Sequence, residues 1–141
     1  MAAESNRARD LAKLRIIINK RKEECEIELA KLNGKMMDLL TSIANMQEQI
    51  KDVEQGLKSY EQQFKKEMMS GSFDAKLLHK GNQKIKKMNN KILELTKNLY
   101  DLEDRKVNLQ ADIEQMQKNV RDSIVQLKKY DELENRLEIV L

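Results

Sequence analysis

The sequence predicts an all-α fold, an antiparallel two-helix coiled-coil hairpin with the turn near residues 69–74. Three observations lead there. The 141 residues include no Pro, no Trp and only four Gly, while 36% are charged and 4% aromatic. Such a chain lacks the turn formers that all-β and α/β folds need. Apolar residues recur in alternating steps of three and four along both halves, the signature of heptad seams. The two series are separated by one short break at the midpoint of the chain.

The first helix is expected over about 4–69. From Leu29 onward eleven consecutive seam positions are apolar: Leu29, Leu32, Met36, Leu39, Ile43, Met46, Ile50, Val53, Leu57, Tyr60 and Phe64. The phase runs backward through Cys25, Lys22, Ile18, Arg15, Leu11 and Ala8, with two charged interruptions. Gly34 and Gly56 lie off the seam and cost about 1 kcal/mol each without ending the helix. The turn is expected at 70–74, within Met68-Met69-Ser70-Gly71-Ser72-Phe73-Asp74. Gly71 can close the first helix in the left-handed conformation, and Ser72 or Asp74 can cap the next.

The second helix is expected over about 75–141. Its seam reads Leu78, Gly81, Ile85, Met88, Ile92, Leu95, Leu99, Leu102, Lys106, Leu109, Ile113, Met116, Val120, Ser123, Leu127, Tyr130, Glu134, Leu137 and Leu141. Residues 1–141 thus form a single hairpin. In a folded-back chain, facing residues have numbers of nearly constant sum. Phe64 with Leu78, Leu57 with Ile85 and Leu29 with Ile113 give 142, and Val53 with Met88 gives 141. This register sets Arg15 against Leu127, Lys22 against Val120, Met36 against Lys106 and Glu134 against Ala8, so no two seam charges face each other.

Charge and composition narrow the function. Lys and Arg total 27 against 24 Asp and Glu, a net +3, and the signs are interleaved in both halves. Neither half is a basic arm of the kind that binds nucleic acid through counterion release. The longest apolar run near the start, Ile16-Ile17-Ile18, is far short of a membrane span. Cys25 is the only cysteine, which makes a reducing compartment and a soluble, cytoplasmic protein the expectation.

No motif carries catalysis. His79 is the only histidine and has no Cys, Asp or second His at ligand spacing; a solvated side chain is expected. Cys25 falls on the seam, where a thiol packs as a small hydrophobe. Met36, Met46, Met88 and Met116 also fall on it, whereas the seam cannot bury both Met68 and Met69. There is no Gly-rich phosphate loop, paired-carboxylate cleft or nucleophile–base pair, so a non-enzyme without cofactor or metal is expected. The one biased stretch is Lys76, Lys80, Lys84, Lys86, Lys87 and Lys91, with no acidic residue between Ala75 and Leu93. It forms a positive surface able to steer an acidic partner, or simply a solvated face.

With these features in place the chain resembles the FliJ/YscO (SctO) family, the stalk proteins of flagellar and injectisome type III export. The local likeness is Tyr60-Glu61-Gln62-Gln63-Phe64, the Met/Ser/Gly-containing loop at 68–72, and the seam Ile85, Met88, Ile92, Leu95, Leu99. The resemblance implies a central stalk whose termini-bearing end enters a hexameric export ATPase, one folded-back chain per hexamer, promoting its assembly and activity. It further implies contact with an export gate protein at the inner membrane, from a cytoplasmic position peripheral to that membrane and without insertion into it. Carried onto this chain, the ATPase-facing residues are Arg15, Lys20, Arg21, Lys22, Arg121, Lys128 and Lys129. The gate-facing residues are Lys80, Lys84, Lys87, Met88, Ile92, Leu95 and Leu99, the last four of which the hairpin also needs on its seam. The alternative is a scaffold or tethering subunit of a larger complex, which would pair through its own or another protein's helix.

Overall fold

The computed structural model describes residues 2–71 and 74–140, with side chains from 6 to 137. It consists of two helices, α1 (Ala2–Met69) and α2 (Ala75–Val140), and no strand among the described residues. α1 ends where expected. Gly71 has φ 78°, a left-handed conformation that costs glycine nothing. Ser70 supports the end by donating its N–H to Lys66 O (3.1 Å) and its hydroxyl to Glu67 O (2.8 Å).

Asp74 starts α2. Its Oδ1 accepts the N–H of Leu77 at 2.7 Å, and its carbonyl accepts the N–H of Leu78 at 3.1 Å. That is the N-cap arrangement, and it places a carboxylate at the positive end of the helix dipole. Ser72, the other candidate cap, lies outside the described residues, as does Leu141.

The heptads account for burial almost position by position. Every described seam residue from Ala8 to Leu137 is buried or half-buried except Arg15 and Lys106, which are exposed. The packing divides into two units, residues 1–36 with 108–141, and residues 37–107. In the first, Ile18, Leu32, Met36 and Ile113 are buried, and Leu29, Leu109 and Met116 pack against the cluster of Leu32, Met36 and Ile113. In the second, Ile43, Leu57 and Leu95 are buried. Burying one such side chain stabilises by about 1.5–3 kcal/mol, so the long repeat, rather than helix propensity, holds each pair of helices together.

The register differs from the sequence expectation. In the first unit, Leu32 with Ile113, Met36 with Leu109 and Leu29 with Met116 use all six members of the cluster, and each pair sums to 145. Sums of 141 and 142 would leave Met36 and Met116 without partners inside it. In the second unit a Cβ built on Gly81 would overlap Phe64 Cε2, with Cζ 2.5 Å and Cδ2 2.7 Å away. Phe64 and Gly81 also sum to 145. The physical reason is a hole for a ring. Phe64 needs a residue with no side chain opposite it, and Gly81, itself buried, provides one. Gly56 at 3.5 Å from Met88 Cε and Lys84 over the Tyr60 ring are the neighbouring layers of the same register.

Candidate interaction surfaces

With seam positions lettered a and d, Leu29 being an a and Leu32 a d, and likewise Leu78 and Gly81 in α2, the remaining letters locate each surface residue. Among the described residues no group of three or more His, Cys, Asp or Glu is placed to hold a metal. Among the described residues, no helix is long and apolar enough to cross a membrane. Cys25 is a free, half-buried thiol. The concave features among the described residues are open grooves along the helices, so the functional question is which surfaces could engage a partner.

In the unit that holds both ends of the chain, Lys20, Arg21, Arg121, Lys128 and Lys129 are exposed and Lys22 is half-buried. Lys22 Nζ lies 3.6 Å from Glu26 Oε1, one turn along the same helix. Arg15 is engaged by its own chain. Its guanidinium reaches Asp131 Oδ1 and Glu134 Oε2, both at 2.9 Å. The expectation that Arg15 meets Leu127 and that Glu134 meets Ala8 is therefore corrected: two seam charges of opposite sign sit close enough to pair. Register explains it, because at a sum of 145 Arg15 is level with Tyr130 and Asp131 follows directly.

This unit also contains a groove that the sequence reading missed. Leu11, Leu14, Leu133 and Leu137 line it, with Arg7, Asp10 and Arg136 at its edges. Leu14 and Leu133 are both g positions adjoining the seam, a signal visible in the heptads once g is read along with a and d.

In residues 37–107 the lysine stretch is displayed as expected, with Lys76, Lys80, Lys84, Lys86, Lys87 and Lys91 all exposed. Lys80, Lys84, Lys87 and Lys91 fall on c and g positions, so they share one flank of α2. Lys84, Lys87 and Lys91 rim a groove floored by Val53, Gly56 and Met88, with Asp52 across it. Lys84 Nζ sits 4.3 Å from the centroid of Tyr60, and Tyr60 in turn stacks on Phe64 at 6.2 Å and 14°. The cation–π contact is worth about 0.5–1 kcal/mol at such a site and fixes one lysine of the flank.

Met88, Ile92, Leu95 and Leu99 are in the seam, Leu95 being buried and the others half-buried. The structure therefore gathers Lys80, Lys84 and Lys87 on the surface and holds these four apolar residues in the seam. Met68 and Met69 are both exposed, and so is His79. Sequence reading also passed over a stripe on the opposite flank, Leu93, Tyr100 and Val107, all strongly exposed.

No protein-family model matches the chain. Neither the curated proteins nor the solved structures contain a match.

Proposed function

We propose that this chain is a non-enzymatic docking protein that acts as the central stalk of a type III export ATPase and links it to the export gate. The observation that carries the reading is the hairpin itself. The chain turns back between α1 and α2, and residues 1–36 and 108–141 pack together in one unit. A helix pair with exposed Lys20, Arg21, Arg121, Lys128 and Lys129 suits insertion into a ring lined by acidic side chains, where complementary charge steers docking.

Lys80, Lys84 and Lys87 are the gate-facing contacts on this reading. Met88, Ile92, Leu95 and Leu99 join them only if the helices part. Lys22 and Arg15 contribute to the ATPase-facing surface, Arg15 after release from Asp131 and Glu134. The protein then works in the cytoplasm, peripheral to the inner membrane.

A second reading, a scaffold subunit, is favoured by the exposed apolar stripe on α2. The two are separated by titrating the protein into a type III export ATPase and following ATP hydrolysis. Stimulation that saturates near one chain per hexamer supports the stalk. An unchanged rate from an ATPase that is competent on its own refutes it.

A further inference from the structure

The two flanks of residues 37–107 are unlike. One carries Lys80, Lys84, Lys87 and Lys91. On the other, Leu93, Tyr100 and Val107 occupy three successive b positions of α2, 68%, 64% and 67% exposed. α1 adds Met37 at a b position and Leu40 at an e position, both exposed. On a helical wheel b adjoins e, and in an antiparallel pair the e positions of the two helices share one side, so these five residues lie on one flank. Single exposed hydrophobics need no explanation. Three at an unbroken spacing of seven describe a face that reads another helix.

We propose that this face docks a second copy of the chain, α2 lying antiparallel on α2 about a twofold axis at Tyr100. A twofold interface must be complementary to itself, and this stripe is. Leu93 and Val107 stand seven residues either side of Tyr100. Antiparallel pairing therefore sets each Leu93 beside Val107 of the second copy and brings the two Tyr100 rings together.

The charges are complementary in the same orientation. Lys97 and Asp104 are exposed at f positions along the edge of the stripe, and they too straddle Tyr100. Antiparallel helices place each Lys97 next to Asp104 of the second copy, twice over. In a parallel pair an f position faces an e position instead, so Lys97 and Asp104 of the two copies would lie on opposite sides of the contact and would not meet. The five apolar side chains expose on the order of 600 Å² per copy, so covering all of them in both copies would reach the roughly 1,000 Å² that a specific interface needs. The pairing does not rest on the stalk reading, because it concerns the chain alone.

Sedimentation equilibrium of the full chain from low to high micromolar concentration tests it. A monomer–dimer equilibrium is expected, weakened about tenfold or more by Tyr100→Glu, the loss that one central interface side chain typically carries. Lys97→Glu should weaken it as well, and Lys97→Glu combined with Asp104→Lys should restore it. Position is read independently. With Cys25→Ser in place, Tyr100→Cys should cross-link two chains on mild oxidation. Helix content by circular dichroism reports whether each variant folds, and the Lys97/Asp104 swap carries the test if Tyr100→Glu does not. A chain that stays monomeric at every concentration overturns the proposal. So does a dimer that ignores these substitutions and fails to cross-link through position 100, since another face would then be pairing.

Discussion

Alanine at Gly34 and alanine at Gly81 are the same substitution in two helix interiors, yet they should move stability in opposite directions. Propensity alone favours alanine by about 1 kcal/mol at each. At Gly34 nothing lies within 4 Å of the added methyl, so the gain should appear in full. At Gly81 the methyl overlaps the Phe64 ring, which must leave its seat. Overpacking of this kind costs about 1–3 kcal/mol, and the displaced ring gives up its stacking on Tyr60, worth about 0.5–1.5 kcal/mol. The net expectation for Gly81→Ala is a loss of about 2 kcal/mol, so the two variants should differ by about 3 kcal/mol. Urea unfolding followed by circular dichroism measures both. The second half of the test identifies the neighbour. Phe64→Leu should relieve Gly81→Ala, whereas Tyr60→Leu should not. In the register with sums of 141 and 142, Gly81 would instead oppose Tyr60. A stabilising Gly81→Ala, or relief by Tyr60→Leu, would refute the packing described here.

Three further outcomes are expected. Asp74→Ala removes the N-cap of α2 and should cost about 1 kcal/mol in thermal or urea unfolding, while Asp74→Asn should be close to neutral. Arg15→Gln should cost less than about 1 kcal/mol at low salt and nothing measurable in high salt, because its ion pairs with Asp131 and Glu134 are substantially exposed; unfolding at two ionic strengths checks this. Lys22→Leu fills a half-buried seam position with an apolar side chain and should raise stability by about 1 kcal/mol. If Lys22 contacts an ATPase, the same variant should bind less well, which a pull-down of the two proteins would read.

Much of the fold was legible because it is local. A seam of alternating threes and fours, broken once, fixes which residues face inward, and Gly71 and Asp74 announce the turn by backbone and capping chemistry. Register was misread because apolar residues meet apolar residues in either alignment, so the sum test alone does not discriminate. The signal that decides it was nonetheless present. Going back from Phe64 the seam steps are four, three, four, three, and going forward from Gly81 they are the same. Starting from Leu78 they are three, four, three, four, and the layers fall out of step. Gly81 then looks like a receptor for Phe64 rather than a weak seam position. The Arg15 ion pairs follow from the same shift.

The surfaces were only partly legible. The lysine flank is a composition signal and was visible at once. Leu93, Tyr100 and Val107 were hidden by attention to a and d, since on a hairpin the b positions look outward and their apolar character is noticed only once the inward faces are settled.

Both surfaces depend on the chain pairing with itself in one register, and disulfide trapping tests that most directly. In a Cys25→Ser background, Leu32→Cys with Ile113→Cys should oxidise within a single chain, giving a faster-migrating monomer on a non-reducing gel. Leu29→Cys with Ile113→Cys should react far less readily. Preferential trapping of the second pair, or cross-links that form only between chains, would contradict the account.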